Sequence, residues 1–232
     1  MKVVILCGGL GSRLSEETKK IPKPMVKIGK IPILIHIMNI YSKYGHNEFI
    51  LALGYKKNVI INYFKKNKFK NWKIKLIDTG YKTLTGKRLL KIEKYLSNDE
   101  NFLLTYGDGV SDVNLKNLIN FHNKSKKVAT VTAVRPPARF GQLEIKKGEV
   151  TNFDEKNQIN TGWINGGYFV FNKKIFKYIP KLNTMLERDT MINLTNKKQI
   201  YAYKHSGFWQ CMDNLRDKET LNEIWKKNNN KW

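Results

Sequence analysis

The sequence predicts an α/β fold: a Rossmann-like open mixed, mostly parallel sheet with helices on both faces, followed by a C-terminal elaboration with short antiparallel strands. Three observations carry that expectation. Apolar runs rich in Val, Ile and Leu ("KVVILC", "EFILALG", "NFLLTYGDG", "VATVTAV") recur through residues 1–134 without polar alternation, as strands buried on both faces do. Segments with helical spacing separate these runs, which is the pattern of β-α-β units. After Arg135 the period changes to two around a Lys147–Gly148 turn signal, which predicts a hairpin.

In chain order, "KVVILC" is the first buried strand. "PILIHIMNIYSKYG" places Ile33, Ile37, Ile40, Tyr41 and Tyr44 at helical spacing, with Gly45 as the stop. "EFILALG" is a strand, "NVIINYFKKN" a helix opened by Asn58, and "WKIKLIDTG" a strand. "GKRLLKIEKYL" reads as a helix, "NFLLTYGDG" as a strand, "DVNLKNLINFHNKS" as a helix and "VATVTAV" as a strand. Beyond the hairpin "GQLEIKKGEVTNFDEK" come a strand ("GGYFVFN"), a short helix ("KIFKYI"), a further helix ("LERDTMINLTNKK") and a late strand ("IYAYKHSGFWQ"). An amphipathic helix with Leu215, Leu221, Ile224 and Trp225 closes the chain, and "KKNNNKW" is expected to fray. No repeat, linker or low-complexity segment breaks the 232 residues, so one domain is expected, in two halves of about 1–134 and 135–232.

A hydrophobic fraction of 41% fits a chain that buries a core rather than a disordered one. The net charge of +24 has two readings: solvated lysines, or an anionic partner such as a nucleic acid, a membrane surface or a phosphorylated substrate. The lysines are scattered, which favours solvation for most of them. Cys7 and Cys211 are too few for a disulfide framework and point to a reducing compartment. The apolar run after Lys2 stops at Gly8, short of a signal peptide, and no stretch is long enough to span a bilayer. A cytoplasmic protein without membrane contact is expected.

"LCGGLGSRLSEETKKIPKPM" carries the chemistry. Gly8, Gly9 and Gly11 follow the first strand, where open α/β sheets bind ligands, and Arg13 adds a fork of donors suited to phosphate. A structural turn is the plain alternative. The dinucleotide fingerprint fails, because Leu14 stands near the place of its third glycine, and no Gly-Lys-Ser/Thr of a P-loop follows. Pro22 and Pro24 bracket Lys23 and restrict its backbone, as a positioned cation requires. Downstream, Asp108 lies between two glycines at a strand end, as a metal-binding carboxylate or as part of a turn. Asp213 could N-cap the last helix, ligate a metal, or both. The four histidines show no metal-ligand spacing, and His36 reads as a satisfied helix residue.

The stretch "CGGLGSRLSEETKKIPKPMVKIG" resembles the sugar-nucleotidyltransferase superfamily. "DTGYKTLTGKRL", "YGDGVSD", "RPPARFGQLEI", "FDEK", "WINGGYFV" and "GFWQCMDNLRDK" look like its glucose-1-phosphate cytidylyltransferase branch, and the likeness runs from Met1 to about Trp225. The resemblance implies that CTP and a hexose 1-phosphate, glucose 1-phosphate first, give a CDP-sugar and pyrophosphate with Mg2+. It implies nucleotide binding by Leu6, Gly8, Gly9, Gly11, Ser12, Arg13, Lys23, Thr83, Arg88 and Gly107, with Arg13 and Lys23 catalytic and Thr83 and Arg88 on the cytosine. Asp108 and Asp213 would hold the metal, and Lys156, Asn165, Gly166 and Glu187 the sugar phosphate, in a homo-oligomer. Two departures stand out. Only "KFKN" joins "NVIINYFKKN" to "WKIKLIDTG", where the family has a longer segment, and Asn157 follows "FDEK" where proline is usual. UTP, dTTP or GTP, or another phosphorylated acceptor, are alternatives within the chemistry. A basic nucleic-acid-binding protein is the alternative outside it.

Overall fold

The structure is a computed structural model, and it describes residues 1–96, 98–136, 142–154, 162–227 and 232. The first strand, β1 (Val3–Cys7), is buried along its whole length. A 3-10 turn (Ser12–Leu14), the short helix α1 (Ser15–Thr18) and a second 3-10 turn (Lys23–Met25) lead to the ribbon of β2 (Lys27–Ile28) and β3 (Ile31–Pro32). Helix α2 (Ile33–Ser42) follows and ends in a turn where Gly45 takes φ +79°, as its stop signal predicts.

Next come β4 (Glu48–Leu53), α3 (Lys57–Lys66), β5 (Lys73–Asp78), α4 (Thr85–Ile92), β6 (Asn101–Tyr106), β7 (Gly109–Ser111), α5 (Leu115–Ser125) and β8 (Ala129–Val134). Asn58 does not open α3. Lys56 occupies the cap position in the left-handed region, and backbone hydrogen bonds from Lys57 to Gly54 and from Val59 to Lys56 start the helix without a side-chain cap. The expected hairpin is present as β9 (Gln142–Lys146) and β10 (Glu149–Asp154). Strand β11 (Ile164–Asn172), a 3-10 helix (Lys173–Lys177), a wide turn (Leu186–Thr190) and α6 (Met191–Asn196) follow.

"IYAYKHSGFWQ" is two strands rather than one: β12 (Ile200–His205) and β13 (Trp209–Cys211). The chain turns at Gly207, where a Cβ would meet the Asp112 carboxylate, and β13 leaves the main sheet to pair with β7. Helix α7 (Leu215–Lys226) closes the order. Trp232 does not fray. It is buried, stacks on Phe208 and Trp225, and donates from its indole to His36 Nδ1, while His36 Nε2 meets the Ile28 carbonyl.

The main sheet has seven strands in the order β12-β8-β11-β6-β1-β4-β5. All neighbours pair in parallel except β11, which runs against both β6 and β8. Alternate residues of β1 serve different cores. Val3, Ile5 and Cys7 face Leu34 and Ile37 of α2, Leu118 of α5 and Leu221 of α7, whereas Val4 and Leu6 face Leu89 and Ile92 of α4 and Leu194 of α6. Cover on both faces is the physical reason these strands read as unbroken apolar runs. Among the described residues, no helix is long and apolar enough to cross a membrane.

Candidate active site

The carboxyl ends of β1 and β6 open into a cleft of about 900 Å³. The three loop glycines border it for different reasons. A Cβ on Gly8 would strike the Arg88 guanidinium, and Gly11 takes φ +66° and packs against Thr18 and Lys23. Nothing lies within 4 Å of a Cβ built on Gly9, so that stretch of backbone is the one a ligand can approach. Ser12 and Arg13 follow on the cleft wall.

Lys23 sits in the 3-10 turn bracketed by prolines, and only 8% of it is exposed. Its Nζ donates to Asp108 Oδ2 at 2.6 Å and to Asp213 Oδ1 at 2.7 Å, and Arg13 reaches Asp213 Oδ2 at 2.7 Å. Burial works against the Lys23 charge, yet the two carboxylates outweigh it and the ammonium pKa rises. The turn is locked in place by Gly107, where a Cβ would come within 2.8 Å of Pro24. Proline and glycine thus interlock, so "IPKPM" and "YGDG" are parts of one construction.

The two aspartates are brought together by the β7–β13 pair, in which Cys211 lies opposite Gly109, and by the Met212 amide donating to the Asp108 carbonyl at 2.9 Å. Asp213 does not cap α7. Asn214 does, in a reciprocal capping box with Asp217. Asp217 also accepts the Asp213 amide at 2.9 Å, which leaves the Asp213 carboxylate turned toward the cations. Two carboxylates from different elements, partly open to solvent, suit a hard divalent ion that keeps water and shares substrate phosphates. Among the described residues no group of three or more His, Cys, Asp or Glu gathers into an all-protein metal cage. Burial, with Asp213 and Asp108 nearby, pushes the Cys211 thiol up to about 12.

Arg88 borders the cleft, is almost wholly buried, and donates to the carbonyls of Gly8 and Leu53 and to Thr79 Oγ1. It therefore holds the glycine loop to the ends of β4 and β5. Replacing Arg88 by Met is expected to cost about 2–4 kcal/mol of stability in chemical denaturation, because several buried acceptors lose a charged donor at once. Thr83 borders the cleft and donates to the Thr79 carbonyl, and Leu6 and Gly107 line the floor.

On the far side, Glu187 accepts from Thr85 Oγ1 at 2.6 Å and from the Tyr106 hydroxyl at 2.7 Å. Asn165 Nδ2 donates to the same Tyr106 oxygen at 3.2 Å, and the Gly166 carbonyl accepts from the Trp209 indole. A bulge in β11 aims Asn165. Gly167 there takes φ +78°, and a Cβ would meet the Tyr106 ring at 2.7 Å. Tyr106, Thr85 and Trp209 escaped sequence reasoning, although the aromatic residue preceding "GDG" was a usable signal. Lys156 lies outside the described residues.

Residues 2–230 match the family profile described as nucleotidyl transferase. Over 253 aligned positions the chain is 43% identical to the glucose-1-phosphate cytidylyltransferase of Salmonella typhimurium, covering 100% of this chain and 98% of that protein. It is 42% identical to the probable glucose-1-phosphate cytidylyltransferase of Bacillus subtilis, with 100% and 99% covered. Among solved structures it is similar to HddC from Yersinia pseudotuberculosis, with a TM-score of 0.77, 28% identity, and 97% and 99% of the two chains covered. The alignments with the cytidylyltransferases are longer than the 232 residues here, so they include gaps in this chain. Glycine loop, clamped lysine and paired aspartates thus occur in a chain that matches these enzymes from end to end, and the protein belongs to the nucleotidyl transferase family, in the branch of the glucose-1-phosphate cytidylyltransferases.

Proposed function

We propose that the protein joins CTP and a hexose 1-phosphate, glucose 1-phosphate first, into a CDP-sugar and pyrophosphate. The observation that carries this is the polarity of the cleft at the carboxyl ends of β1 and β6. One end gathers Arg13, Lys23, Asp108 and Asp213, and the other holds the hydrogen-bonded carboxylate Glu187. Residues 1–134 supply the nucleotide half in this reading and residues 135–232 most of the sugar half.

An oxygen of the ionised sugar phosphate attacks the α-phosphorus. The bond from that phosphorus to the bridging oxygen breaks, and pyrophosphate leaves with the electron pair. No general base is needed, since the nucleophile carries charge at neutral pH. The protein's task is to bring two polyanions together and to neutralise the leaving group. Gly9 offers open backbone to the triphosphate beside Gly8, Gly11 and Ser12, while Arg13 and Lys23 carry the positive charge. Leu6, Thr83 and Gly107 border the nucleoside, and Arg88 acts on it through the loop it anchors. Asp108 and Asp213 would hold Mg2+, which when bound supplies further charge neutralisation on the phosphates. Asn165, Gly166 and Glu187 receive the sugar, with Lys156 on its phosphate by resemblance.

A guanine nucleotide is the specific rival, because the related HddC has been solved as a complex with GMP-PN. A pyrophosphate-release assay crossing CTP, UTP, dTTP and GTP with a panel of sugar 1-phosphates tests the proposal. Release with CTP and a hexose 1-phosphate is expected, and GTP as the sole productive nucleotide would move the protein to the other reading. No release with any pair would sink the enzymatic assignment and return attention to its +24 charge and to nucleic acid.

A further inference from the structure

We infer that Tyr106 and Thr85 are positioning residues that hold Glu187 as a pure hydrogen-bond acceptor, making the acceptor subsite selective for a substrate that presents hydroxyl donors. The inference rests on the placement of the sugar at Glu187 and deepens it.

The direction of each hydrogen bond can be worked out from its ends. The Gly167 amide can only donate, and it donates to Asn165 Oδ1 at 2.8 Å. That fixes the amide orientation, so Asn165 presents Nδ2 as the donor to the Tyr106 oxygen at 3.2 Å. Having accepted there, the phenol directs its one proton to Glu187 Oε1 at 2.7 Å.

A second chain arrives from the other side. The Leu186 amide donates to Thr85 Oγ1 at 2.9 Å, and the threonine proton goes to Glu187 Oε2 at 2.6 Å. Both relays start from a backbone N–H, which cannot reverse, and both end on the carboxylate. The rigid supports come from three elements, with Tyr106 at the end of β6, Thr85 at the start of α4 and Asn165 at the bulge of β11.

Each Glu187 oxygen therefore has one donor and retains capacity for another. Glu187 borders the cleft and is only partly covered, so the remaining capacity is open to a ligand. A group that can only accept hydrogen bonds finds no partner there. A ring with neighbouring hydroxyls does, and its hydroxyls must act as donors. Without Tyr106 or Thr85 the carboxylate would gain rotational freedom, and its oxygens would no longer be set against particular hydroxyls.

The test compares Tyr106→Phe, Thr85→Val, Thr85→Ser and wild type in steady-state kinetics with CTP, a hexose 1-phosphate and its single deoxy analogues. Tyr106→Phe removes the hydroxyl, and Thr85→Val puts a methyl of similar size in its place, so both keep the overall shape. Each is expected to raise KM for the sugar phosphate about 10-fold, with KM for the nucleotide unchanged and kcat within about 2-fold. The penalty for deleting the matched ring hydroxyl should shrink toward about 1 in both variants, while Thr85→Ser, which keeps the donor, should match wild type. Sugar KM values unchanged from wild type, both KM values rising together, or an undiminished deoxy penalty would each overturn the inference. Should Thr85→Val fail to fold by circular dichroism, Tyr106→Phe decides the matter by the same criteria. A wild type inactive on every hexose 1-phosphate would overturn the proposed function as well; an active wild type with indifferent variants overturns this inference alone.

Discussion

Replacing Asp108 by Ala is expected to lower turnover by about 1000-fold while the protein stays folded. The side chain stands 2.6 Å from Lys23 Nζ at the end of β6, and 26% of it is exposed. Its part in the fold is small, because the backbone contact that ties it to β13, from the Met212 amide to the Asp108 carbonyl, survives the substitution. Its part in the chemistry is large. Charge builds on departing pyrophosphate, and a group that sets the charge balance at that point is worth about 4 kcal/mol, with every 1.36 kcal/mol a factor of about ten. Turnover across a Mg2+ titration checks the expectation alongside a thermal melt. Near-normal turnover at ordinary Mg2+ would remove Asp108 from the metal site.

Lys23→Met is expected to be as damaging to turnover and to have a second effect in the resting protein. The ammonium bridges Asp108 and Asp213, so its loss sets two carboxylates against each other beside Arg13, which pairs with Asp213. Breaking a fully buried ion pair costs roughly 3–5 kcal/mol. Both aspartates keep some contact with water, which lowers the expected cost to about 1–3 kcal/mol. The same crowding of negative charge should make the variant a better cation site. Mg2+ without nucleotide is therefore expected to raise the Tm of Lys23→Met more than that of the wild type, a difference differential scanning fluorimetry can read. Equal shifts in the two proteins would show that Lys23 and the metal do not compete for the carboxylates.

Much of the fold was legible because its signals are local. The apolar runs of β1, β4, β6 and β8 report burial on both faces, and Gly45 and Lys147–Gly148 mark turns by their own backbone preferences. What failed did so where backbone geometry or a distant contact overrides residue type. Asn58 is a fair cap by type, yet the left-handed Lys56 turn starts α3. "IYAYKHSGFWQ" is continuous in pattern, yet Gly207 and Asp112 divide it between two sheets.

By itself the sequence determined that this is an α/β chain with a glycine-rich loop after its first strand and a lysine bracketed by prolines, because residue type and spacing act within a few positions. The tertiary structure alone decided that Gly8 makes room for Arg88, that Gly107 receives Pro24, and that Asn214 rather than Asp213 caps α7. It also decided that Tyr106 and Thr85 meet on Glu187. These are contacts between elements far apart along the chain. Close packing in three dimensions selects them, and no period or motif in one dimension carries that information.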